Sequence, residues 1–289
     1  MNIAVMTDTN SGISPEEGRQ LGVRVVPMPV LINGKTYYEG VDLTQETFYE
    51  GLLNGADVTT SQPAPGELLN AWEELLRDHD AVVYIPMSSG LSTSYQTALV
   101  LAEDFGGRVQ VANHRSISVP QRYGVMDALA LAKAGKTAEE IRGILEDAAE
   151  DIIILIGVDT LKFLKKGGRV TPAAAAMGAV LQIKPLLQIR GERLDAFAKV
   201  RGVKACRERI LKEMHLLVEQ YEASGRPFSI AASGSFLTKA EADEWVETCS
   251  GAFPGREVRF DPLSFCIGSH TGPGAFAMGI CRRLAPIGG

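Results

Sequence analysis

AVVYIPMSSGLSTSYQTALVLAE, residues 81–103, predicts a strand, a tight loop and a helix in direct succession. Residues 81–86 form a short apolar run that is typical of a buried parallel strand, and from Tyr95 onward apolar residues recur at helical spacing. The loop between the two elements contains five hydroxyl side chains: Ser88, Ser89, Ser92, Thr93 and Ser94. Because ligands of open α/β sheets bind at the carboxyl ends of the strands, this loop is a candidate binding loop.

The predicted helix start beside this loop favours a negatively charged ligand. Free N–H groups at a helix N-terminus, with hydroxyls around them and no carboxylate or lysine in the loop, suit a carboxylate or a phosphate. Serine or threonine before a helix most often acts only as an N-cap, and one hydroxyl is enough for that function. The excess of hydroxyls favours a binding loop, and capping stays open as the alternative.

Length, composition and charge limit the class of protein. The chain has 289 residues, enough for two domains, and its 45% hydrophobic and 22% charged residues are typical of a globular protein. A net charge of −6 without a Lys/Arg block argues against a nucleic-acid surface. No apolar run approaches the roughly 18 residues of a membrane span and the start lacks a leader pattern, so we expect a cytoplasmic protein without stable membrane insertion. The cysteines form no C-x-x-C pair, so we expect no metal site and no disulfide framework.

The order of predicted elements indicates the fold class. Strands and helices alternate in the first half, which predicts a parallel sheet with helices on both faces. Asn33-Gly34 between two extended segments adds a small β-hairpin arm. From Asp151 a hairpin, a long helix and further strands predict a mixed or antiparallel sheet. We therefore expect an N-terminal α/β domain over residues 1–148 and a C-terminal α+β domain over residues 149–289.

A second group of hydroxyls lies in VTTSQPAPGE, residues 58–67, which we expect to be a loop before a helix. Pro65 and Glu67 mark the helix start, yet the capping position falls on Ala64, which has no side-chain oxygen. Thr60 and Ser61 lie too early to cap this helix. Capping alone therefore does not explain these hydroxyls.

Two neighbouring segments of the second half differ in polarity, one being basic and the other apolar. In LKFLKKGGR, residues 161–169, the Gly167-Gly168 pair predicts an irregular loop, and Arg169 belongs to its basic cluster. This basic cluster has two alternative interpretations, a solvated loop or a contact with a partner. Residues 173–181 predict a helix of small apolar residues, which we expect to be buried and to leave room for a ligand against it.

The segment CIGSHTGPGAFAM, residues 266–278, places His270 and Thr271 among glycines. Glycine permits a close backbone approach that a Cβ would block. A lone histidine is more often structural, but this setting favours a site role for His270.

Five motifs together resemble the DegV family of bacterial fatty-acid-binding proteins. They are the strand followed by Thr7-Asp8-Thr9, Thr60-Ser61-Gln62-Pro63, residues 88–98, Lys166-Gly167-Gly168-Arg169, and residues 270–274. The resemblance covers essentially the whole chain and implies a two-domain EDD fold that binds one long-chain fatty acid, such as palmitate, between the domains. It also implies a monomeric carrier without catalytic activity or a cofactor, which presents the acyl group to an ATP-dependent fatty acid kinase in lipid metabolism.

The resemblance also implies residue roles. Thr60 and Ser92 would hold the carboxylate, with Ser61, Thr271 and His270 beside it, and Arg169 would lie on the face shown to the kinase. Ser92-Thr93-Ser94 stands where the family usually has Ser-Gly-Thr, a change that would narrow the head-group pocket.

A serine esterase is the alternative function. Gly90-Leu91-Ser92-Thr93-Ser94 after a strand resembles a nucleophile elbow, and Ser92, Asp261 and His270 follow the order of a hydrolase triad. Ser94 replaces the second glycine of that motif, and no H-G-G-G oxyanion motif occurs upstream. The sequence therefore favours the carrier over the esterase.

Overall fold

The computed structural model describes residues 1–176, 183–191 and 194–284. Its strands are β1 (Ile3–Asp8), β2 (Val23–Val26), β3 (Pro29–Ile32), β4 (Lys35–Tyr38), β5 (Val58–Thr60), β6 (Ala81–Ile85), β7 (Val109–Val111), β8 (Ile152–Gly157), β9 (Ile183–Arg190), β10 (Leu194–Arg201), β11 (Phe228–Gly234), β12 (Val258–Pro262) and β13 (Phe276–Arg282). Its α-helices are α1 (Pro15–Leu21), α2 (Gln45–Leu53), α3 (Pro65–Leu75), α4 (Ser94–Ala102), α5 (Ser118–Lys133), α6 (Ala138–Ala148), α7 (Lys162–Gly167), α8 (Pro172–Ala175), α9 (Val203–Ser224), α10 (Lys239–Ala252) and α11 (Phe265–Thr271).

The predicted parallel sheet is confirmed, with four strands in the order β2-β1-β6-β7. All of β6 is buried because its side chains alternate between two apolar clusters. Val83 and Ile85 belong to one cluster, whereas Val82 and Tyr84 belong to the other. The loop of residues 86–93 therefore leaves the sheet at its carboxyl edge, as the sequence predicted.

The hairpin arm is confirmed as β3 and β4, which pair around Asn33 and Gly34. Both turn residues have positive φ, 50° and 80°, as a tight two-residue turn requires. β5 pairs antiparallel with the other edge of β3. The expectation that residues 58–67 are all loop is therefore wrong for residues 58–60. Main-chain pairing along β3 makes them a strand, and Thr60 lies at its end.

The second half of the chain forms a mixed sheet of six strands, in the order β10-β9-β8-β13-β11-β12. The predicted hairpin is confirmed as β9 and β10, while Glu192 and Arg193 of its turn lie outside the described residues. Along β8, Ile154 and Ile156 face one apolar cluster, and Ile153 and Leu155 face another. This alternation turns Ile154 and Ile156 towards the cavity described below.

Helix α5 packs against strands of the parallel sheet and against β11, β12 and β13 of the mixed sheet. Arg122 on this helix lies 2.6 Å from Asp261 and 2.6 Å from Glu17, so one guanidinium joins three segments. Strands β1 to β7 precede α5 in the chain, and strands β8 to β13 follow it. The chain changes sheets between β7 and β8. The expected boundary at residue 148 and the division into two domains stay predictions.

Helix α7 occupies most of the segment that we expected to be an irregular loop. The Gly167-Gly168 pair ends the helix instead of excluding it, because Gly168 adopts φ 69° and caps it in the left-handed conformation. Leu161 and Leu164 pack into the core beneath.

Helix α8 begins at the expected Thr171 cap, but its described part is largely exposed, with only Ala174 buried. The expectation of a buried helix over residues 173–181 is therefore wrong for residues 173–176. Residues 177–181 lie outside the described residues. Helix α8 packs against β10, and Ala174 belongs to the same apolar cluster as Ile154 and Leu194.

Candidate functional site

A cavity lies between the mixed sheet and the loops at the carboxyl edge of the parallel sheet. Its empty space, with the open mouth included, is about 980 Å³. Apolar side chains from both halves of the chain form most of its wall: Met28, Met87, Leu91, Ile117, Ile154, Ile156, Leu164, Ile189, Leu194, Leu263, Ile267, Ala277 and Met278. The wall therefore suits an apolar ligand, and none of the described residues of α8 belongs to it.

The polar side chains predicted from separate motifs meet at one part of this cavity. Thr60, Ser61, Ser92, Arg169, His270 and Thr271 all line it. Thr60 Oγ1 lies 2.9 Å from His270 Nε2. This pair joins the end of β5 to helix α11, so each side chain fixes the direction of the other. We refer to Thr60, Ser92, Arg169 and His270 as the polar cluster.

His270 is held by close packing as well as by its hydrogen bond. A Cβ on Gly167 would lie 2.1 Å from His270 Nδ1, so only glycine at the end of α7 lets the ring occupy this place. Burial, with a smaller effect from the nearby Arg169 charge, lowers the pKa of His270 to about 4. The imidazole is therefore neutral at physiological pH.

Ser92 lies at the start of α4 and is only half-buried. Its Oγ accepts a hydrogen bond from Ser94 N at 3.1 Å and lies 2.8 Å from Ser94 Oγ. Ser92 thus satisfies the first N–H of α4, whereas the N-cap residue Thr93 makes no side-chain cap bond, and Ser92 still borders the cavity. A hydroxyl can satisfy a backbone N–H and contact a ligand together, since it has two lone pairs and one hydrogen.

Gln62 joins the two hydroxyl-rich segments and was not singled out as a site residue from the sequence. Its Oε1 accepts hydrogen bonds from Thr93 Oγ1 and Thr97 Oγ1, both at 3.0 Å. The Thr93 side chain is exposed and turned to Gln62. The Thr60-Ser61-Gln62 segment is thereby fixed against the start of α4.

Arg169 follows α7 directly and lies at the mouth of the cavity with its side chain exposed. Its Nε donates to Leu91 O at 3.4 Å, and its guanidinium also donates to Gly167 O. The bond to Leu91 closes the space between α7 and the loop that carries Ser92. The positive charge is therefore available both to the cavity and to the surrounding solvent.

The other two predicted residues lie in the wall with their hydroxyls already engaged. Ser61 is exposed, and its Oγ donates to Gln62 O at 3.0 Å. Thr271 is buried, and its Oγ1 lies 3.3 Å from both Ile267 O and Gly272 O. These two side chains shape the site more directly than they offer free hydrogen bonds to a ligand.

The hydrolase triad of the alternative function is not assembled. His270 pairs with Thr60, and Ser92 pairs with Ser94. Asp261 is engaged by Arg122 at 2.6 Å and by Arg259 at 3.2 Å. A triad needs its base bonded to both the nucleophile and the carboxylate, and the hydrogen bonds among the described residues do not join Ser92, Asp261 and His270 in this way.

Two buried carboxyl groups support the segments around the cavity. Asp8 Oδ2 accepts from Met87 N at 2.9 Å, and burial raises the pKa of Asp8 to about 6. Glu39 Oε1 accepts from Phe265 N at 3.0 Å, at the start of the helix that carries His270. Burial raises the pKa of Glu39 to about 7. Both carboxyls thus hold parts of the site through backbone N–H groups.

Neither a metal site nor a membrane span is found in the part of the chain that the structure describes. There, no cluster of three or more His, Cys, Asp or Glu side chains is arranged to bind a metal ion. The helices within those same residues are too short or too polar to cross a bilayer.

An apolar cavity with its charged and polar groups gathered at one part is suited to an amphipathic molecule. These features define a protein with a binding site for amphipathic molecules. Comparisons with known proteins identify the family. The profile of the DegV family, described as an uncharacterised protein family, matches residues 2–283. The chain belongs to the DegV family.

Individual relatives resemble the chain over nearly its full length. A DegV domain-containing protein of Deinococcus radiodurans is 32% identical, covering 97% of this chain and 98% of the relative. The structure of a DegV family protein from Thermus thermophilus, described as binding fatty acid, has a TM-score of 0.86 at 32% identity and covers 98% and 100% of the two chains. That of Bacillus subtilis DegV, described as a fatty acid binding protein, has a TM-score of 0.84 at 29% identity over 98% and 100%.

Proposed function

We propose that this protein binds one long-chain fatty acid in the cavity, between two domains, and serves as a carrier. The observation that carries the proposal is the arrangement of the cavity, with an apolar wall over most of its surface and the polar cluster at its mouth. The description of two structural relatives as fatty-acid-binding proteins supports it.

Binding strength would come from the acyl chain. Burial of about fifteen methylenes at ~0.8 kcal/mol each gives on the order of 12 kcal/mol before the cost of ordering the ligand. The carboxylate would accept hydrogen bonds from Thr60 and Ser92, with the neutral His270 ring beside it. Hydrogen bonds to a charged group, each roughly 1.5 to 3 kcal/mol, would mainly offset desolvation of the carboxylate and fix which end faces the mouth.

The position of the polar cluster suits transfer of the acyl group to a partner. A carboxylate at the mouth is reachable from outside, whereas the hydrocarbon chain is enclosed. We propose that an ATP-dependent kinase docks over Arg169 and phosphorylates the bound acyl group. An exposed guanidinium, always charged, can bind a carboxylate or phosphate of the partner with two parallel hydrogen bonds.

Mass spectrometry of small molecules released from the purified, denatured protein tests the proposal. Protein made in bacteria is expected to carry about one long-chain fatty acid per chain, because a ligand buried to this extent survives purification. A sample with no acyl chain that also fails to bind added palmitate would contradict it. Labelling by a fluorophosphonate that disappears in Ser92→Ala would instead favour the esterase.

A further inference from the structure

The half-buried side chain of Gln62 lines the same cavity as the polar cluster. Ser61 N donates to Pro29 O at 3.3 Å, so the chain continues beside β3 for one residue after β5 ends at Thr60. In an extended chain, side chains two residues apart point to the same face. Gln62 therefore lies on the face of Thr60, one of the two residues proposed to hold the carboxylate.

Two threonines of α4 and its N-cap orient the carboxamide of Gln62. Its Oε1 accepts one hydrogen bond from Thr93 Oγ1 and one from Thr97 Oγ1, both at 3.0 Å. These bonds use both lone pairs of the oxygen and turn it towards α4. The Nε2 group, on the other branch of the planar amide, is directed away from the two threonines. Among the residues that the structure describes, Nε2 has no hydrogen-bonding partner, so its two hydrogens are available to a ligand.

Gln62 and Arg169 are attached to the two chain neighbours of Ser92. Gln62 accepts from the Thr93 hydroxyl, and Arg169 Nε donates to Leu91 O at 3.4 Å. A neutral amide and a charged guanidinium are therefore each anchored within one residue of Ser92, and all three side chains line the cavity. Both groups offer nitrogen donors close to the proposed position of the carboxylate.

The hydroxyls alone supply few hydrogens for a carboxylate. A carboxylate has about four lone-pair sites, whereas Thr60 and Ser92 contain one hydroxyl hydrogen each. The Thr60 hydroxyl also lies 2.9 Å from His270 Nε2. The Ser92 hydroxyl lies 2.8 Å from Ser94 Oγ. Either hydrogen can thus be used within the protein. Because burying a carboxylate without enough donors is unfavourable, the site needs a further donor.

We propose that Gln62 is this further donor and that it selects a carboxylate over a neutral alcohol. Its Nε2 donates to a carboxylate oxygen, while Oε1 stays bonded to Thr93 and Thr97. The inference rests on the proposed function, since it assumes that the carboxylate lies at Thr60 and Ser92. An alcohol gains less from the amide, because its oxygen is a neutral acceptor and its own hydrogen finds no acceptor on Nε2.

Displacement of a fluorescent long-chain fatty acid measures the affinities of myristate and 1-tetradecanol for the wild type and each variant. Gln62→Met keeps the length of the side chain but has no N–H group. It is expected to bind myristate about tenfold to a hundredfold more weakly, the value of a hydrogen bond to a charged group, and tetradecanol within about twofold of the wild type. Gln62→Glu keeps an oxygen for the two threonines but replaces the N–H donors by a charged oxygen. It should lose still more myristate affinity at neutral pH, because the two carboxylates repel each other.

Gln96→Glu, at an exposed position of α4 that does not line the cavity, is the control and should keep the ratio of the two affinities. If Gln62→Met weakens both ligands by the same factor, Gln62 only fixes its segment to α4 and the inference is wrong. Unchanged affinities in both Gln62 variants also contradict it, whereas myristate binding by the wild type still supports the carrier. A wild type that binds neither ligand overturns both.

Discussion

Thr60 Oγ1 and His270 Nε2 are 2.9 Å apart, although 210 positions separate the two residues in the sequence. The hydrogen bond joins the hairpin-arm sheet to a helix that packs near the mixed sheet. The polar cluster therefore forms only when both halves of the chain have folded and come together. Disturbing either residue is expected to affect ligand binding without unfolding the parallel sheet.

Removing the cluster hydroxyls should weaken binding of palmitate. Thr60→Val keeps the shape of the side chain but loses the hydroxyl, and Ser92→Ala removes the second proposed contact to the carboxylate. Each is expected to reduce the affinity about tenfold or more, as for a hydrogen bond to a charged group. Thr248→Val, at a half-buried position of α10 that does not line the cavity, is the control for calorimetry and circular dichroism. Unchanged affinity in both site variants would place the carboxylate elsewhere.

Gly167→Ala tests whether the position of His270 matters for binding. The new Cβ would lie 2.1 Å from His270 Nδ1, so the ring must move away from Thr60. We expect about a tenfold loss of palmitate affinity and a destabilisation of roughly 1 to 3 kcal/mol from overpacking. The matched control is Gly143→Ala in α6, where a Cβ meets no described atom within 4 Å. It should raise stability by about 0.5 to 1 kcal/mol. Tight palmitate binding by Gly167→Ala would show that the ring position is not needed.

The pKa of His270 should rise when a fatty acid binds. In the free protein it is lowered to about 4, and a carboxylate beside the ring would favour the imidazolium form. An NMR titration of labelled histidine is expected to show the midpoint rising by roughly 1 to 3 pH units on addition of palmitate. His114 has a pKa lowered to about 4 by burial alone and does not line the cavity, so its midpoint should stay in place. If the His270 midpoint does not move when palmitate is added, the carboxylate does not lie beside His270.

Stability should decrease as the pH rises from about 4.5 to about 7, because of Glu39. Burial raises its pKa from 4.5 in the unfolded chain to about 7 in the folded one. In this range the folded state binds more protons than the unfolded state, so the free energy of unfolding falls with increasing pH. Asp8, with its pKa raised from 3.8 to about 6, acts in the same direction over a lower range.

Glu39→Gln should flatten this dependence, because glutamine can still accept from Phe265 N but does not titrate. Urea unfolding at several pH values measures the effect, with Glu46→Gln on the exposed side of α2 as the control. A pH profile of Glu39→Gln that follows the wild type would show that Glu39 is not the titrating group.

Arg169→Ala should separate ligand binding from transfer. If the guanidinium contacts a kinase, fatty-acid affinity stays nearly unchanged while ATP-dependent acyl phosphorylation by an added partner kinase falls about tenfold or more. Lys165→Ala, an exposed lysine on α7, the helix that ends before Arg169, is the control. A parallel loss of palmitate binding would instead assign Arg169 to the carboxylate, which its place at the cavity mouth also permits. Equal phosphorylation of the wild type and Arg169→Ala would show that Lys165, Lys166 and Arg169 only form a solvated surface.

The sequence alone determined most of the local structure. The apolar run of β6 and the Asn33-Gly34 turn each specify an element through contacts within a few residues, and both elements are confirmed. The motifs that resemble the DegV family also identified the residues that line one cavity. Such signals are readable because backbone conformation and capping depend on neighbours in the chain.

Only the tertiary structure decided what each motif contacts. Residues 58–60 became a strand through pairing with β3, and α7 formed over a segment whose glycines suggested a loop, since Leu161 and Leu164 are buried in the core. The hydrogen bond between Ser118 and Ser233 had no sequence signal, because the two serines lie 115 positions apart. Contacts of this kind depend on how separate elements pack, which periodicity and capping do not encode.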